Sequence, residues 1–168
     1  DIMLDRGVEL RAKKDFKSVF SKIADELKKA DLLFGNLESV ISDKGRNVGS
    51  EYSFRADPEA AEALRCAGFD IVSLAHNHAL DYTVKALEDC FLRLKEKGID
   101  YAGAGLNRKE AFSLKIKEVN DLKVGFLAFT ITYLGLGFWL WYFAGMSWKW
   151  VLCYLALLPP AGFAALHY

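Results

Sequence analysis

The chain has 168 residues, with 22 Lys+Arg against 22 Asp+Glu, so its formal net charge at pH 7 is zero. That balance offers no basic field for nucleic acid and no acidic tail. The three cysteines (Cys66, Cys90 and Cys153) lie far apart with no Cys-x-x-Cys pair, which argues against a zinc ribbon or a disulfide framework and fits small buried apolar residues.

The length suits one ordinary domain with an appendage. The first residue is Asp1, not Met, so the chain is expected to be a fragment or a processed form. Residues 15–30 carry Phe16, Val19, Phe20, Ile23 and Leu27 at helical spacing. Residues 31–37 (DLLFGNL) form a short apolar run ending near Gly-Asn, as a buried strand does, and residues 45–50 read as a loop. Asp57-Pro58-Glu59 is a helix start, with a capping acid, a first-turn proline and a second acid near the positive helix end. That helix is predicted to stop at Gly68, and residues 69–75 (FDIVSLA) to form the next strand. A helix is predicted over 84–97, with Leu87, Phe91 and Leu94 inward and Gly98 as its stop. A strand at 99–102, a helical turn at 110–112 and a hairpin pairing 116–119 with 123–129 around Asn120-Asp121 complete the series. The alternation predicts an α/β domain with a largely buried sheet.

Ligands of such sheets gather at the carboxyl ends of the strands. Three of those ends carry polar residues here: Asp1, the stretch Asn36 to Glu38, and His76-Asn77-His78, which holds two of the three histidines. Asp, Glu, Asn and His together suit a divalent metal such as Mn, Mg, Zn or Fe. Two such ions bridged by a carboxylate serve displacement at phosphorus, and a neighbouring histidine can protonate a leaving oxygen. Each residue also has an ordinary reading. Asn36 is a turn residue, Glu38 a solvated carboxylate, Asp81 a cap for the next helix, and either histidine a structural or exposed side chain. On a strand, His76 and His78 would point the same way.

Taken in order, DIMLDRGV at 1–8, ADLLFGNLESVISD at 30–43, FRADPEAAEALRCAGFDIVSLAHNHALDY at 54–82 and GIDYAGAGLNRKEA at 98–111 resemble the CapA family. That family is associated with bacterial poly-γ-glutamate capsule biosynthesis and is related to the calcineurin-like metallophosphoesterases. The resemblance runs from Asp1 to about Thr130. It implies half of a sandwich of two mixed sheets flanked by helices. It also implies a metal site, with Asp1 as a ligand, Glu38 as the bridging carboxylate, Asn36 as a second candidate and Asn77 as the ligand of an Asn-His motif. His78 is implied as the residue acting on phosphate or leaving group, Asp81 as orienting the motif's turn, and Arg6 as facing an anion. Two departures matter. Met3 replaces a frequent ligand histidine, and His76 replaces the usual second asparagine, as an extra ligand or a tolerated neighbour. The Gly-His-His-Pro-His-like segment of the family's second half has no counterpart; His167 alone follows His78.

Residues 131–168 hold one charged side chain, Lys149, and all four tryptophans. The chain thus divides into a 1–130 domain and an apolar 131–168 extension. Residues 133–148 and 150–166 each approach the ~20 apolar residues that cross a bilayer. Trp148-Lys149-Trp150 resembles an interfacial turn, and Pro159-Pro160 would kink the second segment. The extension reads as a transmembrane tail, as a buried helix of a larger protein, or as a non-native extension. The expected function is a metal-dependent phosphoesterase step in capsule or envelope polymer synthesis, with a site incomplete in this chain, two divalent ions (Mn, Fe or Zn) as cofactors, and the domain outside the membrane. The expected partners are the membrane, other capsule-synthesis components and a phosphate-containing or polymer substrate, with no nucleic acid. The rivals are a non-enzymatic assembly or export component, and a truncated product with no function of its own.

Overall fold

The computed structural model describes residues 1–12, 15–50 and 52–130. The extension at 131–168, with its predicted membrane spans, lies outside the described residues. Among the described residues no helix is long and apolar enough to cross a membrane.

Three parallel strands form the central sheet in the order β1 (Phe34–Asn36), β4 (Ile71–Ser73), β5 (Asp100–Ala102). Asn36, Ser73 and Ala102 stand side by side in register, so the three strands end together. A parallel bridge from Ile2 to Leu37 lays the first residues beside β1. Burial is concentrated in the middle strand, while the outer strands are only partly covered: Phe34 of β1 is 45% exposed and Asp100 of β5 is exposed, so the largely buried sheet expected from the sequence holds for β4 alone. Ile71 and Val72 are fully buried. Two small ladders flank it: β2 (Val40–Ile41) with β3 (Arg55–Ala56), parallel, and β6 (Lys115–Val119) with β7 (Leu122–Phe126), antiparallel. The predicted hairpin is present, and Asn120 and Asp121 take the positive φ of its turn, 49° and 64°.

Helix α3 (Ala60–Ala67) follows the predicted Asp57-Pro58-Glu59 start and ends at Gly68, whose φ of 94° only glycine adopts freely. Its alanines and Leu64 are buried, which brings its backbone close to its neighbours. Helix α4 (Thr83–Glu96) packs Leu87, Phe91 and Leu94 inward, as the spacing predicts. The short α5 (Arg108–Ala111) is capped by Asn107, whose side chain accepts from the Glu110 N–H.

Two local readings change. The single helix expected over 15–30 is a 3-10 turn (Phe16–Phe20) followed by the one-turn α2 (Ala24–Leu27). Its apolar stripe is not buried along its length: Phe16 is in the core but Ile23 is half exposed. Helix α1 (Arg6–Ala12) forms where no element was expected, from a segment with only a weak apolar period. Cys66 and Cys90 are free, and burial pushes the Cys90 thiol up to about 12.

One buried charge ties α4 to the segment after β2. Asp89 accepts from the Ser42 hydroxyl (2.7 Å), Lys44 Nζ (2.9 Å) and Arg93 Nε (2.7 Å), and Arg93 also reaches Asp43 (2.8 Å). Burial opposes charge on Asp89, but the three donors outweigh it and bring the carboxyl down to about 2. A depressed carboxylate stabilises the fold above its unfolded value near 4, and that stability is lost as pH falls toward 2. Asp89→Asn is therefore expected to flatten the acid limb of stability between about pH 4 and 2, by on the order of 2 kcal/mol. Urea unfolding at stepped pH checks this; an unchanged acid limb contradicts it.

Candidate functional site

The common end of the parallel strands carries two polar groups. The first is set by the Ile2 bridge. Ile2 N–H donates to the Asn36 carbonyl (2.7 Å) and Glu38 N–H to the Ile2 carbonyl (2.9 Å), which places Asp1 beside the end of β1. The Asn36 amide then donates to Asp1 Oδ1 and to Glu38 Oε2, both at 2.7 Å. One side-chain amide thus gathers two carboxylates that would otherwise repel.

The second group is a run of tight turns between β4 and α4. His76, expected at a strand end, sits in a bend beyond it, because β4 stops at Ser73. His76 is 4 % exposed. Its Nδ1 accepts from the His78 N–H at 3.2 Å, which leaves the proton of the neutral ring on Nε2, and that atom is buried with no partner among the described residues. Burial, reinforced by His78, pushes the ring down to about 4, so it is neutral near pH 7. In this arrangement His76 could ligate a metal only by surrendering its bond to the His78 amide. The two imidazoles lie 6.5 Å apart.

His78 is held from three sides. Its Nδ1 lies 2.8 Å from Asp81 Oδ2, its Nε2 lies 2.9 Å from Asn77 Nδ2, and the Phe54 ring packs 4.1 Å from its centroid. Asp81 Oδ2 also accepts from the Phe54 N–H at 2.8 Å, and the Asp81 carbonyl accepts from Val48 N–H at 2.9 Å. An N–H at Nδ1 facing the carboxylate leaves Nε2 with a lone pair to accept from the Asn77 amide. The Asn77 side-chain oxygen remains for another partner. Asp81 does not cap α4; Tyr82 takes that position with no side-chain bond. It orients the motif's turn instead.

The loop between β2 and β3 straps this histidine in place through Val48 and Phe54. Gly45 is needed there: its φ is 76°, and a Cβ would strike the Tyr82 carbonyl. Below the strap lies Asp5, 4 % exposed, with Oδ2 accepting from Arg55 N–H (3.2 Å) and Oδ1 buried with no partner among the described residues. Burial raises its carboxyl, against the opposing Arg55 N–H and Arg6 charge. Neither Phe54 nor Asp5 stood out in the sequence, where one lies in an ordinary apolar-polar mix and the other resembles any surface acid.

The structure therefore joins Asp1, Asn36 and Glu38 in one group and Asn77, His78 and Asp81 in another, on neighbouring strand ends. Among the described residues no hydrogen bond or ion pair links the two groups, and no three His, Cys, Asp or Glu side chains are grouped so as to hold a metal ion. The donor chemistry nevertheless suits a divalent cation: two carboxylates held on one amide and a second amide oxygen without a hydrogen-bond donor.

Removing the Asp81 carboxylate by Asp81→Ala strands the buried Phe54 N–H and frees the His78 ring. A loss of about 1–3 kcal/mol in unfolding free energy is expected, together with mixed ring tautomers by ¹⁵N NMR. A wild-type ring already protonated at Nε2 alone would contradict the assignment.

Residues 1–137 match the family described as bacterial capsule synthesis protein PGA_cap. The capsule biosynthesis protein CapA of Bacillus anthracis is 33% identical over 135 residues, covering 77% of this chain and 33% of that protein. The PGA biosynthesis protein CapA of Bacillus subtilis (strain 168) is 26% identical over 134 residues, covering 77% and 35%. Uncharacterized protein y4sH of Sinorhizobium fredii is 33% identical over 116 residues, covering 65% and 25%. The chain spans about a third of the length of the two CapA proteins. The chain belongs to the bacterial capsule synthesis, or CapA, family.

Proposed function

We propose that this chain supplies part of a metal-dependent phosphoesterase site used in envelope polymer synthesis. The observation that carries the reading is the Asn36 amide drawing Asp1 and Glu38 together at the strand rim that also bears Asn77 and His78. The fold that goes with it is a portion of a metallophosphoesterase-like sandwich. Asp1, Glu38 and Asn77 would hold divalent ions, two of them, drawn from Mn, Fe or Zn, with Asn36 as a further ligand and His76 as an adjustable one. When bound, such ions bind phosphate oxygens and lower the pKa of water. This chain spans about a third of the length of its CapA relatives, and any further ligands would lie outside that third.

The chain's own residues supply the proton chemistry. Asp81 fixes Nδ1–H of His78, so Nε2 is the atom that faces the exposed Asn77 and the solvent side. A proton taken up at Nε2 is balanced by the Asp81 carboxylate and is passed from there to the departing oxygen. Phe54 covers the imidazole, excluding water from that face and limiting its rotation.

The apolar 131–168 segment anchors the protein to the membrane in this reading, with the domain outside it in the cell envelope and beside other capsule-synthesis components. The rival reading keeps the fold without the chemistry, as a non-enzymatic assembly or export component of envelope polymer synthesis. Metal analysis of the purified chain decides between them. The enzyme reading expects bound Mn, Fe or Zn in the wild type and a loss of at least tenfold in affinity in Asn77→Ala and Glu38→Gln, the scale typical of perturbed metal sites. It also expects hydrolysis of a generic phosphodiester once the full-length protein is used. A wild type that binds no metal and turns over no phosphodiester supports the assembly role.

A further inference from the structure

Arg6 is held in an unusual position. Its φ is 51°, left-handed backbone that a side-chain-bearing residue rarely adopts. Its guanidinium lies 4.4 Å from the Phe54 ring centroid and 6.0 Å from that of Tyr52. Phe54 in turn packs on His78, so Arg6 and the imidazole share one phenyl ring. The guanidinium is exposed, and among the described residues it forms no ion pair with a carboxylate.

Beside it is a cleft of about 310 Å³ lined by Met3, Asp5, Arg6, Gly7, Val8 and Arg11. Its walls are mostly carbon, from Met3, Val8 and the arginine stems. Arg11 has no carboxylate partner either among the described residues, so two unpaired cations border an apolar hollow. The Asp5 carboxyl at the floor of the cleft is buried, with one oxygen unpartnered among the described residues; burial raises it, and the Arg55 N–H and the Arg6 charge oppose that.

We propose that this cleft binds a phosphate ester with an apolar body, the body filling the hollow and the phosphoryl oxygens meeting Arg6. A forked guanidinium pairs with two such oxygens at once. Arg6 and His78 both contact Phe54, so an anion held by Arg6 lies about one ring's width from the imidazole. The inference deepens the phosphoesterase reading and rests on it only for the claim that the bound ester is a substrate. Binding itself requires neither a metal nor turnover.

The test is calorimetric titration of the full chain, in chelator, with phenyl phosphate and with inorganic phosphate. Phenyl phosphate is expected to bind at least fivefold more tightly than inorganic phosphate. Arg6→Gln is expected to weaken phenyl phosphate about tenfold, the scale of one charge-assisted pair, and Arg6→Lys to recover part of it. Arg6→Gly, free to take a φ of 51°, is expected to keep the melting temperature of the wild type and still lose the ligand, which separates binding from folding. Equal affinity for the two probes, or unchanged binding in Arg6→Gln and Arg6→Gly, overturns the proposal. If Arg6 governs binding but the wild type holds no metal in the assay above, the phosphoesterase reading fails while the cleft stands; metal binding without any Arg6 effect gives the reverse.

Discussion

The parallel register of β1, β4 and β5 is the constraint on which the site depends. Asn36, Ser73 and Ala102 end their strands level with one another, and the Ile2 bridge adds a fourth extended segment beside Leu37. A slip of one residue would turn each side chain to the opposite face. The hydrogen-bonded pairing of Asn36 with Ser73 and of Ser73 with Ala102 thus determines where the polar residues emerge. Residues 35 apart in the chain, Asp1 and Asn36, meet through this alignment alone.

Elements with strong punctuation were legible in the sequence. Asp57-Pro58 and Gly68 bracket α3, Gly98 follows α4, and Asn120-Asp121 turns the hairpin, each through local backbone chemistry that needs no tertiary partner. The 15–30 segment misled because a helical period does not state how much of the stripe is covered. Phe16 finds the core and Ile23 does not, so no continuous apolar contact holds the intervening turns as one helix. The two-residue strands β2 and β3 were invisible because they are too short for any period; their pairing comes from neighbours elsewhere in the chain. In the site, the motif residues announced themselves by type and spacing. Phe54 and Asp5 did not, since their roles arise from where the strap crosses the His78 turn.

Asp81 shows how one side chain can serve both fold and chemistry. A single oxygen accepts from a backbone N–H and faces an imidazole, and the same residue's carbonyl receives Val48. Asp89, on the next helix, carries a comparable set of donors but only links α4 to the segment after β2. The difference lies in the partners. Asp89 is met by fixed cations and a hydroxyl, whereas Asp81 is met by a group whose charge can change.

The strap from β2 to β3 is anchored to the His78 turn by two backbone amides, those of Val48 and Phe54, and by the fit of Gly45 against Tyr82. Any opening of that loop lifts the phenyl ring from the imidazole and frees the carboxylate in the same motion. The histidine's solvent access and the loop's hydrogen-exchange protection are thus one local equilibrium rather than two, and a change that loosens the loop alters the histidine without touching it.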